Sequence, residues 1–298
     1  MDLTEVEIFR AVAQEQSVTR AAAVLDRAQS NVTTRVKQLE ESLGVSLFRR
    51  DSKRMILTPE GQRFLGYANR LLALAEEARQ SMQQVVPTGR LRVGSMEAAA
   101  ASRLTHPLAR FHKQWPDVEI ELQTGTTQFL TDAVAAHRVD CAIVAHAPAD
   151  TDSDSDTDSA PTFASGLAGT YLFTEDLVLV VPASHKRVRR PSDLTIRTLA
   201  AFSRGCTYRQ CALDWLASEG DRPQHDIKVL EMSSYHAMLA SVSAGAAVAI
   251  VPKSLLDQHR YALDVQTVSL RKVPSYLIRR EGYDTVAYTA FLEELQRV

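Results

Sequence analysis

Ser30, Asn31, Thr33, Thr34, Lys37 and Gln38 crowd hydrogen-bonding and basic groups into nine residues. Side chains of these types read the edges of bases in a DNA groove. Val32, Val36, Leu39 and Leu43 recur between and after them at i, i+4, i+7 and i+11. That spacing predicts one helix, from about Gln29 to Leu43, with an apolar face inward and the polar set outward. Gly44 is a natural stop for it. Leu47-Phe48-Arg49-Arg50 and Arg54-Met55-Ile56-Leu57 then predict two short strands around the turn Asp51-Ser52-Lys53. Arg49, Arg50, Lys53 and Arg54 would touch backbone phosphates beside the helix, as a wing does. Residues 17 to 66 hold nine basic side chains against five acidic, whereas the whole chain carries a net charge of −2. A local basic field of this kind is the electrostatic footprint of a phosphate partner.

Other elements must hold that helix in place. Thr4 to Gln14 predicts a helix with Val6, Phe9, Val12 and Ala13 inward and a Thr4/Glu7 capping box. Ser17 to Leu25 predicts a second, with Ala21, Ala22, Val24 and Leu25 apolar, followed by a tight connection at Asp26-Arg27. Two helices joined by such a turn, the second polar outside, read as a helix-turn-helix. The plainer alternative is a small helical bundle with a solvated face, and the wing argues against it. Thr58 and Pro59 begin a further helix that runs to about Val86. Phe64, Ala68, Leu71, Ala75, Ala78, Met82 and Val85 follow a 4, 3, 4, 3, 4, 3 spacing, the pattern of a coiled-coil seam. We expect this helix to pair with a copy of itself and so present two recognition helices; lying on its own domain is the alternative. Pro87-Thr88-Gly89 ends it as a hinge.

From Arg90 onward strands and helices alternate, which predicts a mainly parallel sheet. Strands are expected at Leu91–Val93, Val118–Leu122 and Cys141–Ala145, with one helix through Leu108 and Phe111 and another from Gln128 to Ala136. A second set begins near Leu167, with strands at Leu177–Val181, Thr198–Phe202, Val229–Glu231, Ala246–Val251 and Tyr276–Arg279, and a last helix at Thr285–Leu295. Ligands of such sheets lie beyond the carboxyl ends of the strands, at helix N-termini. The candidate ligand residues are therefore Ser95, Met96 and Glu97; Thr124, Gly125 and Thr126; Ser203, Gly205, Cys206, Thr207, Tyr208 and Arg209; and Ser233 and Ser234. The hydroxyls, guanidinium and thiol from Gly205 to Arg209 suit an anionic or carboxylate ligand. Glu97 suits a cationic amine instead, and solvated surface side chains are the plainer alternative for both groups. The carboxylate is the preferred expectation. A helix dipole at Cys206 would lower its thiol pKa. Cys206 and Cys211 stand five residues apart and would not face each other on a helix, so a pocket-lining or packing role is expected for Cys206.

The segment from Ser17 to Gly61, SVTRAAAVLDRAQSNVTTRVKQLEESLGVSLFRRDSKRMILTPEG, resembles the LysR-type transcriptional regulators. So do GSMEAAAASRLTHPLARFHKQWPDVEIELQTG and SSYHAMLASVSAGAAVAIVP further on, and the likeness covers nearly the whole chain. The resemblance implies a multidomain α+β protein. Its parts would be a winged helix-turn-helix over residues 1–60 and a dimerising linker helix over 59–87. A two-lobed α/β effector domain like the type 2 periplasmic binding proteins would follow. One lobe would take residues 90–166 and 267–298, the other 167–266. It also implies dimers or tetramers on interrupted palindromic promoter sites. Gln29, Ser30, Thr33 and Thr34 match the family's base-contacting positions, and Arg49, Arg50 and Arg54 its wing positions. Ala28 departs from the pattern, standing where members often have a Ser or Thr cap, a loss worth roughly 1 kcal/mol. Thr34 stands where many carry Arg, which alters the expected base preference. Residues 149–160, ADTDSDSDTDSA, form an Asp-rich insertion. It opens like a calcium loop, but Thr157 replaces the required glycine and Phe163 the bidentate glutamate, so no calcium site is expected.

Length and composition fit this reading. At 298 residues and 45% hydrophobic, the chain is long enough for two domains with cores of their own. The longest apolar run, Ala244 to Val251, is far short of a membrane span. The start MDLTEVEIFR lacks a signal-peptide pattern, and three cysteines suit a reducing cytoplasm. The expected partners are promoter DNA, a small-molecule effector, a second copy of the chain and RNA polymerase, with no cofactor, metal or membrane. An enzyme using Cys206 or His106 is a competing idea. No Ser/His/Asp order, metal-ligand cluster or Gly-rich phosphate loop supports it. A purely architectural DNA binder, insensitive to ligands, is the third.

Overall fold

The computed structural model describes residues 1–51, 54–82, 86–147, 163–218, 227–258 and 263–297. The chain divides into two compact units. Unit 1 comprises Met1–Gln84 with Ala136–Arg138, and unit 2 comprises Val85–Ala135 with Val139–Val298.

The first unit runs α1 (Leu3–Glu15), α2 (Val18–Val24), α3 (Gln29–Leu43), β1 (Phe48–Asp51), β2 (Arg54–Leu57) and α4 (Pro59–Met82). α1 starts earlier than its Thr4/Glu7 pair predicts. Asp2 accepts from the Glu5 amide at 2.8 Å, and the Glu5 carboxylate accepts from the Asp2 amide at 3.0 Å. Asp is the stronger N-cap, so the capping box moves two residues upstream. Ser17 caps α2, and Asp26 takes a left-handed conformation (φ 50°) in the tight connection. Val24, though apolar, is 68% exposed; in so short a helix only Ala21 and Ala22 are buried. α3 has the expected bounds, with Gly44 ending it at φ 69° and no side-chain cap from Ala28. Glu40 Oε1 accepts from the amides of Leu47 and Phe48 at 2.7 and 3.0 Å, which ties α3 to the wing. Phe9 centres the core, its ring 5.2 Å from that of Phe48 and 5.0 Å from that of Phe64. Gly61 packs against β1's entry so closely that a Cβ would lie 2.0 Å from the Leu47 carbonyl oxygen.

The second unit carries β3 (Gly89–Ser95), α5 (Glu97–Ser102), α6 (Thr105–Gln114), β4 (Val118–Thr124), α7 (Thr127–Ala135) and β5 (Cys141–Ala145). β6 (Leu167–Pro182), β7 (Thr198–Ala201), α8 (Thr207–Ala217), β8 (Lys228–Glu231) and α9 (Tyr235–Ser243) follow. The chain ends on β9 (Val248–Pro252), α10 (Lys253–Asp257), β10 (Val265–Arg280) and α11 (Val286–Gln296). The sheet order is β4-β3-β5-β10-β6-β9-β7-β8.

This sheet corrects three expectations. It is mixed: β4-β3-β5 and β9-β7-β8 are parallel triplets, joined by β10 and β6, which pair antiparallel to each other and to their outer neighbours. β6 and β10 are each sixteen residues long, not the short strands expected at Leu177–Val181 and Tyr276–Arg279. Their polar middles hid them. Glu175 is buried in β6 because Arg103 and Ser254 bond it at 2.8 and 2.7 Å. The helix after β3 is broken at Arg103-Leu104 into α5 and α6, and Arg103 turns to that same glutamate. The two long strands pass from one half of the sheet to the other, and one apolar cluster runs across both halves, from Leu130 and Ala142 to Leu199 and Leu239, while a second packs Phe111 and Phe291 against β3 and β5.

Candidate nucleic-acid interface and effector cleft

The outer face of α3 is open. Gln29, Ser30, Asn31, Thr33, Thr34, Lys37 and Gln38 are all exposed, while Val32, Val36 and Leu39 are buried beneath them. Thr33 Oγ1 donates to the Gln29 carbonyl at 3.0 Å. Lys37 keeps only an exposed i,i+4 pairing with Glu41 at 3.5 Å, too weak to withhold it from a phosphate. Arg35, on the flank of the same helix, turns instead to Asp2 at 3.5 Å. In the wing Arg49 pairs across from Ile56 and Asp51 from Arg54, and both arginines are exposed. The side chain of Arg50 and the whole of Lys53 lie outside the described residues. α3 and the wing thus join neutral hydrogen-bonding groups to flanking guanidiniums, the combination that base edges and phosphates require.

The predicted seam on α4 divides. Phe64 and Ala68 close the head's own core. Leu71, Ala78 and Met82 are exposed, Ala75 is half-buried, and Val85 lies outside the described residues. Tyr67 and Leu74, which the sequence reading left out, join the exposed apolar set. With Leu71 and Ala78 they form a stripe at 67, 71, 74 and 78, again at coiled-coil spacing.

In the second unit a cleft opens between the two halves of the sheet. One wall is Met96, Glu97, Gly125, Thr126 and Thr127; the other is Phe202, Cys206, Tyr208 and Tyr235. The space in it that the centre of a water-sized sphere can occupy is about 20 Å³, so the cleft is narrow. Thr207 Oγ1 bonds Thr127 Oγ1 at 2.9 Å and the Ala145 carbonyl at 3.1 Å, and the Gln128 amide donates to the Gly205 carbonyl at 3.1 Å. Thr207 and Gly205 therefore tie the walls together. Ser95 is fully buried below the cleft, and Thr124, Ser203 and Ser233 are exposed away from its lining. Ser234 is half-buried and serves as the N-cap position of α9. Phe202 and Tyr235 are lining residues that the sequence reading passed over, because an aromatic at a strand end looks like core.

The two charged side chains of the candidate set are placed differently. Arg209 Nη1 is taken up within the chain: it bonds Glu231 Oε1 at 2.6 Å and the Phe202 carbonyl at 3.1 Å. Glu97, by contrast, sits in the wall, and burial pushes its carboxyl up while His236 and the Tyr235 amide pull the other way. Burial also raises the Cys206 thiol, against the smaller opposing pull of the Tyr208 and Arg209 amides. Desolvation therefore outweighs the helix end at this position, and the expected lowering is not found.

A winged helix-turn-helix head with an open basic face, followed by a two-part α/β unit around a cleft, defines a DNA-binding regulator with an effector-binding domain. Residues 3–62 match the bacterial regulatory helix-turn-helix of the lysR family, and residues 84–298 match the LysR substrate binding domain. The chain belongs to the LysR family of transcriptional regulators. It is 32% identical to the HTH-type transcriptional regulator GltR of Bacillus subtilis (strain 168), over 99% of this chain and 96% of that protein. It is 31% identical to YofA of the same strain, over 100% and 99%. Among solved structures, a full-length OxyR variant from Pseudomonas aeruginosa shares the fold with a TM-score of 0.70 at 21% identity, covering 99% and 98% of the two chains. CbnR, a LysR family transcriptional regulator, aligns with a TM-score of 0.66 at 24% identity, covering 100% and 99%. The family is one of regulators rather than enzymes. No described helix is long and apolar enough to cross a membrane.

Proposed function

We propose that the chain is a sequence-specific promoter-binding regulator that acts as a homodimer or homotetramer in the cytoplasm. α3 reads bases through Gln29, Ser30, Asn31, Thr33 and Thr34, while Lys37 and the wing residues Arg49, Arg50, Lys53 and Arg54 hold phosphates. α4 pairs with a second copy through its exposed apolar stripe. A small polar effector in the cleft shifts the two halves of the second unit and so alters promoter binding and the encounter with RNA polymerase. The observation that carries the reading is the fully exposed polar face of α3 beside an exposed pair of wing arginines. A solved complex of the relative CbnR with its target DNA supports it. The test compares the affinity of the full chain for its own upstream region with that for scrambled duplex of equal length, at several salt concentrations. We expect tighter binding to the upstream region and a log–log salt slope of about −0.9 per phosphate held. Equal affinity for both would remove the sequence-specific part of the proposal.

A further inference from the structure

The cleft's own chemistry points to the charge of its ligand. Among the described residues, Glu97 is the one carboxyl bordering it, beside glycine, threonines, methionine, cysteine and three aromatics. Its Oε2 is buried with no hydrogen-bond partner. His236, which pulls on the same carboxyl, borders a different cavity beside Ser102 and Gln258. A buried carboxylate oxygen left unbonded is costly, and a cation beside it relieves that cost.

The groups that would favour an anion are partly engaged. Arg209 is held by Glu231. At the start of α7 the Gln128 amide donates to Gly205 and the Phe129 amide to Thr126 Oγ1 at 3.4 Å. At the start of α8 the amides of Tyr208 and Arg209 face Cys206, and at the start of α9 the Tyr235 amide faces Glu97. The opposite wall is aromatic, with the Phe202 and Tyr235 rings edge to face at 4.9 Å, and such rings attract cations.

We propose that the cleft takes a small ligand bearing an ammonium group, with Glu97 as its counter-charge and Phe202 and Tyr235 as its aromatic wall. This rests on the effector reading of the cleft. The test follows the melting temperature of the full chain with ethylamine, ethanolamine and choline, against ethylene glycol and glycolate at matched ionic strength. We expect a saturable rise with at least one amine and none with the glycol or glycolate. Glu97→Gln should weaken the amine by about tenfold or more. Phe202→Leu, which keeps the charge, should also weaken it, and it decides the matter if Glu97→Gln fails to fold. A saturable rise with glycolate, no rise with any amine, or amine binding indifferent to both substitutions overturns the proposal. The same preparations are tested on the upstream duplex. Specific duplex binding without amine binding defeats the ligand proposal and leaves the regulator standing. Loss of specific duplex binding in the unsubstituted chain defeats the regulator itself.

Discussion

Thr207 Oγ1 lies 2.9 Å from Thr127 Oγ1, so the first residue of α8 is bonded to the first residue of α7 across the cleft. The same hydroxyl reaches the Ala145 carbonyl at 3.1 Å, which anchors the pair to the end of β5. Two helix starts from opposite halves of one sheet are thereby clasped beside the space a ligand would fill. Thr207→Val keeps the shape and removes the clasp. It should lower the stability of the second unit by about 1 kcal/mol, read as a shift in its urea midpoint at unchanged slope. An unchanged midpoint would mean that the clasp contributes nothing.

Gly61 is the residue on which the head's geometry is least forgiving. Gly61→Ala places a methyl 2.0 Å from a backbone oxygen of the wing's entry, and backbone cannot yield as a flexible side chain can. We expect a loss of about 1–3 kcal/mol in the head, with DNA affinity falling alongside. Gly66→Ala, on the same helix with nothing within 4 Å of the new methyl, should leave both unchanged or slightly improved. Circular dichroism melts of the two variants make the comparison.

The exposed stripe on α4 predicts the assembly. Leu74→Asp places a charge on its open face, and a dimer held there should become monomeric by sedimentation equilibrium without unfolding. Phe64→Asp should instead unfold the head, because Phe64 packs on Phe9. If Leu74→Asp leaves the assembly intact, the stripe is not the interface.

Burial raises the Glu97 carboxyl above its ordinary range, so its ionisation works against the folded state. A raised folded-state pKa gives stability that is present below the unfolded-state value and lost as pH rises through the folded-state value. Glu97→Gln lacks that loss. The melting temperature of the variant relative to the unsubstituted chain should therefore climb as pH rises through the carboxylate range, then level off. A constant difference across that range would contradict the assignment.

The head was far more legible in the sequence than the cleft. α3 could be bounded from Val32, Val36, Leu39 and Gly44 because its apolar spacing and its stop are local signals. The error at the start of α1 was also local: two overlapping pairs, Asp2/Glu5 and Thr4/Glu7, both fit a capping box, and only the fold chooses between them. β6 and β10 were shortened because alternation fails where Glu175 is buried, and its partners Arg103 and Ser254 lie more than seventy residues away. The partner of Arg209 was hidden for the same reason. Glu231, twenty-two residues on, takes its charge, and no pattern in the chain announces that pairing. Long-range pairing is what a linear reading lacks, and the cleft is made of it.

The central claim is that paired heads lay the polar face of α3 into successive grooves of one duplex. Hydroxyl-radical footprinting of the upstream region with the full chain tests it most directly. The account predicts two protected patches separated by about 10–10.5 base pairs or a multiple of it, on one face of the helix. The patches should fade together in Thr34→Ala and Lys37→Ala. A single patch, or protection spread evenly along the duplex, would contradict it.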